Sequence, residues 1–154
     1  MNILKHKNLT ILGTQSFNSL PGWFQNAETE NAVFGYGSSV ANEYWEGIWF
    51  SGTWKNGAWN GKRWHDGTWK NGRWCCGSWK KGTWENGTWE NGLFESGLWK
   101  DGVWCCGSWY KGVWLNGYWH AGLWGGGAWL RGVVYHDGPK NCIGFSHEGK
   151  PILE

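Results

Sequence analysis

Residues 82–91 read Gly-Thr-Trp-Glu-Asn-Gly-Thr-Trp-Glu-Asn, two identical pentads in tandem. Working outward, the frame Gly-x-Trp-x-x extends from Gly47 to Arg131 without a change of period. Its central position is held by Trp49, Trp54, Trp59, Trp64, Trp69, Trp74, Trp79, Trp84, Trp89, Phe94, Trp99, Trp104, Trp109, Trp114, Trp119, Trp124 and Trp129. Glycine stands two positions before the centre in all of these except the pentad of Trp64, where Lys62 follows Gly61. A period of five is neither the 3.6 of a helix nor the alternation of a long strand.

Glycine at every fifth position excludes a long helix. Many of these glycines follow Asn or Asp, as in Asn56-Gly57, Asp66-Gly67 and Asn86-Gly87. Such dipeptides favour corners because both residues tolerate positive φ. Between the corners lie Thr-Trp, Val-Trp and Leu-Trp pieces with strand preference. A short extended piece and a corner, repeated, predict an all-β, parallel β-solenoid in which like residues stack on like. The other positions are mostly polar, so the aromatic centres form the expected core. Each ring buries about 150–250 Å² when covered.

Pentads such as Gly-Thr-Trp-Lys-Asn (52–56) and Gly-Thr-Trp-Glu-Asn (82–86) resemble those of pentapeptide-repeat proteins. In that family a small residue precedes a central Leu or Phe by two positions. Here Trp takes the centre and Gly the small position, a swap that conserves interior volume. The resemblance covers residues 47–131 and implies a right-handed, four-sided β-helix with four pentads per turn. The columns of the sequence suggest another register. At a spacing of 15, Asn56, Asn71, Asn86, Asp101 and Asn116 align, as do Thr53, Thr68 and Thr83. The motif Cys-Cys-Gly-Ser-Trp at 75–79 recurs six pentads later, at 105–109. Four-sided, three-sided and three-chain arrangements therefore stay open at the level of sequence.

The chain divides into residues 1–44, which lack the pentad, the solenoid at 45–132, and a tail at 133–154. The first segment contains strand-like Leu9–Leu12 and Ala32–Tyr36 around a Pro21-Gly22 turn. Solenoid ends expose strand edges and rings, so both segments are expected to cap the repeat. Residues 1–44 are longer than a cap requires and are the expected attachment segment.

The net charge of +2 offers neither a basic stripe for nucleic acid nor an acidic face resembling one. The start is too polar for a secretory leader and no long apolar run follows, so no membrane insertion is expected. Adjacent cysteines do not give usual zinc-ligand spacing, and Cys142 stands alone. His65-Asp66 and His136-Asp137 have no accompanying nucleophile or oxyanion device. Gly125-Gly126-Gly127 lies inside the repeat and lacks a phosphate-binding context. The expectation is a non-enzymatic protein without metal or cofactor.

Tandem runs like 82–91 also resemble repeats in proteins assigned to the virions of tailed bacteriophages. That likeness implies a structural rod, spike, fibre or decoration component, made in the host cytoplasm and carried in the virion. Its partners would be other structural proteins, or further copies as a trimer in a fibre. The alternative is a receptor- or carbohydrate-binding module that uses Trp23, Trp45, Tyr110 and Tyr118 as exposed aromatic platforms.

Overall fold

The computed structural model describes residues 2–13, 16–38, 44–134, 144–145 and 151–152. The side chains of residues 2, 37, 38, 44–46 and the two short C-terminal strands fall outside that description. Strands β1 (His6–Lys7) and β2 (Thr10–Leu12) are followed by the one-turn helix α1 (Gly22–Gln25) and two long strands. These are β3 (Glu28–Ser38) and β4 (Tyr44–Asn56). From Ala58–Trp59 to Val133–Val134 every pentad contributes one short strand ending on its central residue.

The pairing register defines the coil. Trp49 pairs in parallel with Trp64, Trp64 with Trp79, and Thr83-Trp84 with Leu98-Trp99. Each step spans three pentads, and so does one coil. The four-pentad coil implied by the family resemblance would pair Trp49 with Trp69, and the ladder corrects it. The columns that align in the sequence at a spacing of 15 are the ladder columns themselves.

Three columns of six rungs result. The first runs from Trp49 to Trp124 through Phe94, the second from Trp54 to Trp129, and the third from Trp59 to Val134. Because β4 contains the first rung of two columns, it joins them into one sheet, while the third column is separate. Six rungs at the usual strand separation make a prism only about 25–30 Å tall. The described coils thus form a peg rather than a long rod.

Each pentad adds two ladder bonds. Thr88 N–H donates to the Gly72 carbonyl at 2.9 Å, and Glu90 N–H to the Trp74 carbonyl at 2.8 Å. The central residues Trp49 to Trp129 all point inward and are buried. Along a column the rings stack nearly parallel, as in Trp84–Trp99 at 4.6 Å and 5°. Around a coil they meet edge to face, as in Trp84–Trp89 at 5.8 Å and 71°. Both geometries suit the quadrupole of the indole ring.

The glycine requirement is set mainly by the backbone. Gly87 has φ +123°, and a Cβ there would run into the carbonyl oxygen of Gly72 one rung earlier. Room for the rings is a secondary reason, although Gly57 and Gly117 do lie close to Trp rings. The corners also differ from the expected positive-φ pairs. Among the described residues only Asn8 and Asn31 combine positive φ with a side chain, and neither precedes a solenoid glycine. The residue before glycine instead turns its side chain forward: Asn56, Asp66, Asn91 and Asp101 accept from the next N–H at 2.8–2.9 Å.

The irregular pentad is absorbed locally. Gly61 approaches Gly47 and the Trp59 ring so closely that a Cβ would strike both. Lys62 then keeps the ladder, donating to Gly47 and accepting from Ser78, each at 3.0 Å.

The first coil is covered by the N-terminal segment. Strand β3 runs antiparallel along β4, and β1 and β2 pair with β3. Trp23 and Phe24 of α1, with Phe34 of β3, close over Trp54 and Trp59. Inside this cap His6 stacks on Phe24 at 4.8 Å. Its Nε2–H donates to the Gln25 carbonyl at 3.2 Å, leaving Nδ1 to accept from the Thr29 hydroxyl at 2.8 Å. Most of the tail at 133–154 lies outside the described residues, apart from Val133–Val134 and an antiparallel pairing of Gly144–Phe145 with Pro151–Ile152.

Candidate functional surface

The interior of the prism is taken up by rings. Five indoles, those of Trp49, Trp69, Trp84, Trp104 and Trp109, donate from Nε1 to the carbonyls of Asp66, Asn86, Asp101, Ala121 and Gly126 at 3.0–3.1 Å. In Trp74, Trp79 and Trp114 the same nitrogen is buried close to Gly92, Gly97 and Gly132 without a hydrogen-bond partner. The inward face is therefore engaged in packing, and the side chains open to solvent are the outward ones.

Three outward positions per pentad are available: the one before the ring and the two after it. In the first column the position after the ring carries Phe50, His65, Lys80, Glu95 and Tyr110 on successive rungs. His65 is half-buried against Phe50, with ring centroids 5.1 Å apart. Burial, then the charges of Arg63 and Lys80, hold its pKa below the usual histidine value. Its sequence neighbour Asp66 accepts from Gly67 N–H and pairs with Lys81 at 3.7 Å. His136-Asp137 lies outside the described residues. Gly125 takes a normal rung, donating to the Trp109 carbonyl at 2.6 Å.

Two shallow depressions mark this surface. One, of about 470 Å³, opens beside the irregular pentad and is lined by Trp23, Tyr36, Asn60, Gly61 and Lys62. The other, of about 340 Å³, is lined by Lys80, Lys81, Glu95, Ser96, Tyr110 and Lys111. Of the four aromatic platforms, Trp23 is half-buried in the cap, and the side chain of Trp45 lies outside the described residues. Tyr110 is 63 % exposed and Tyr118 46 %, but they occupy different sheets and do not form one platform.

Free thiols occur at Cys75, Cys76, Cys105 and Cys106, with Cys76 and Cys106 exposed. Burial raises the pKa of Cys75, Cys76 and Cys105. Arg73 and Glu90, one rung apart, form a two-pronged ion pair at 2.7 and 3.0 Å beside Cys75. Among the described residues no group of three or more His, Cys, Asp or Glu is placed to hold a metal ion.

The last coils carry an apolar belt of which the sequence singled out only Tyr110 and Tyr118. Tyr110, Val113, Tyr118, Leu123, Leu130 and Val133 are all exposed there. They surround the prism because the three columns each contribute. Folding the sequence into rows of three pentads reveals the trend directly: Thr53, Thr68 and Thr83 give way to Leu98, Val113 and Ala128 on one column. At the opposite end Ile3 and Leu4 are exposed, Leu4 at 93 %.

No protein-family model, curated protein or solved structure matches this chain.

Proposed function

We propose that the protein is a non-enzymatic structural component of a large assembly, a stiff peg whose surfaces join it to other structural proteins. The observation that carries this reading is the unbroken aromatic core. Rings stack from the first coil to the last and fill the described prism, a construction whose evident capacity is mechanical. Apolar side chains at both ends, Ile3 and Leu4 at one and the Tyr118–Val133 belt at the other, provide contact area of the kind an assembly covers. Attachment through residues 1–44 draws support from Leu4, the most exposed of these residues.

A pentapeptide-repeat relation and a place in a virion rest on the likeness of the Gly-Thr-Trp-Glu-Asn runs. The test is particle composition. Virions or comparable particles from the encoding system, purified on a gradient, are expected to contain the chain at fixed copy number by mass spectrometry, with Leu4→Glu lowering its incorporation. Recovery only as free protein would reject the structural role.

A receptor-binding reading is favoured by one observation, the depression around Tyr110. An exposed ring flanked by Lys80, Lys81, Glu95, Ser96 and Lys111 combines a stacking surface with hydrogen-bonding groups, as glycan recognition requires. Glycan-array binding that is lost in Tyr110→Ala would support it, and a blank array would remove it.

A further inference from the structure

The two Cys-Cys-Gly-Ser-Trp motifs are six pentads apart, which is two full coils. Both therefore fall on one ridge, the corner between the third and first columns, with the Asn91 rung midway between them. From Cys76 to Gly122 the corner positions of this ridge are Cys76-Gly77, Asn91-Gly92, Cys106-Gly107 and Ala121-Gly122. None is charged. The other two ridges carry Asp66, Lys81 and Lys111, or Asp101 and Arg131, at the matching positions. At its corner positions the cysteine ridge is the uncharged one, and the Arg73 and Glu90 side chains beside it are already paired with each other.

These thiols have no partner among themselves. Cys76 and Cys106 are separated by two rungs, about 9.6 Å, and a disulfide needs Cα atoms no more than about 7 Å apart. Within each Cys-Cys pair the Cα atoms are about 3.8 Å apart, below the usual disulfide range. The Cys76 thiol donates to Asn60 Oδ1 on the preceding rung at 3.2 Å, which aligns it with the ridge.

We propose that this ridge is a self-complementary docking seam for a second copy of the chain, closed by two disulfides that each join Cys76 of one copy to Cys106 of the other. A two-fold axis through the Asn91 rung, perpendicular to the prism, exchanges Cys76 with Cys106. An isologous interface requires that relation, and the duplication of the motif supplies it. The oxidant is a low-molecular-weight disulfide such as oxidised glutathione. The Cys76 thiolate attacks one of its sulfurs, forming a mixed disulfide and releasing one reduced thiol. The Cys106 thiolate of the second copy then attacks the Cys76 sulfur and releases the other. Each bridge thus oxidises two protein thiols, reduces one small disulfide to two thiols and loses two protons from the cysteines to those products. Burial raises the Cys76 pKa and disfavours the attacking thiolate at neutral pH, so the seam closes faster in mild alkali.

The full chain, incubated with oxidised glutathione at about pH 8, is expected to double in mass by light scattering. Peptide mapping should find Cys76 joined to Cys106, and dithiothreitol should reverse the linkage. Cys76→Ser alone and Cys106→Ser alone should each abolish the cross-link, because the surviving thiol then faces serine. Their circular dichroism should match the parent, which separates loss of the seam from loss of the fold. Cys142→Ser should still dimerise. A Cys76–Cys76 bridge, a dimer that survives either single variant, a bridge to Cys142, or a monomer carrying glutathione or a Cys75–Cys76 bridge would each overturn the proposal.

Discussion

At the scale of the residue, a mid-prism central position such as Trp84 is a slot bounded by rings above, below and on two sides. Phe94 tests the slot naturally. Its ring lies 5.6 Å from Trp79 but 4.1 Å from Trp109, so the smaller ring shifts toward one neighbour. Trp84→Phe is therefore expected to be mild, losing ring area and the bond from Nε1 to the Asp101 carbonyl. Trp84→Ala should cost about 3–5 kcal/mol by urea unfolding, as other core aromatic truncations do. Gly87→Ala is harsher than its size suggests. It places a side chain at φ +123° and against the Gly72 carbonyl, a strain of about 1–3 kcal/mol from the backbone alone. Thr88→Ala, on an outward position of the same pentad, is the matched control and should leave the midpoint almost unchanged.

At the scale of the element, the coil was legible and the cap largely was not. The alignment of Asn56, Asn71 and Asn86 contained the register, because stacked rungs share one corner geometry. The likeness to four-sided repeats pointed elsewhere, since a pentad alone does not state how many fit in a turn. Ala32–Tyr36 was recognised as extended, yet its pairing with β4 could not be read. Partners in a sheet are chosen by tertiary packing, and Gly47 and Gly52 look locally like every other repeat glycine. Of the exposed belt only Tyr110 and Tyr118 stood out, because its aliphatic residues are ordinary in sequence and become a patch only when coils stack.

The cap also contains a pH-sensitive element. Burial holds the His6 pKa below 6.5, with backbone carbonyls opposing that shift and the Lys5 charge adding to it. The unfolded chain then binds the proton more readily than the folded cap. Stability is fully present above the unfolded pKa of about 6.5 and falls as pH drops through the lower folded value. Amide exchange in β1 and β3 should accelerate between pH 7 and pH 5 while the middle rungs stay protected. His6→Phe, which keeps a ring against Phe24, should flatten that response.

At the scale of the whole molecule, the aromatic core of the described coils is completed within one chain. Every ring from Trp49 to Trp129 is covered within the described protein, so stacking between chains, the basis of a three-chain spike, is not needed for burial. Under reducing conditions the far-UV exciton signal of the stacked indoles should persist on dilution; its loss with falling concentration would point to rings shared between molecules. Repeat stability is close to a sum over neighbouring coils. Excision of positions 82–96 removes one coil and leaves every column in phase. The shortened chain should keep its β signal and melt at a lower temperature, whereas a wholly unfolded product would mean that the coils do not act as separable units.

The direction of the ladder bonds has a mechanical consequence. They run along the prism axis, each coil held to the next by the same few links. Tension between the two ends loads those layers in series, so the weakest interface opens first. Every release should free one coil of three pentads, lengthening the tether by about 50 Å, which optical tweezers would record as evenly spaced steps. Compression presses the stacked rings together and peels nothing, so this architecture is suited to bearing thrust and poorly suited to serving as a rope.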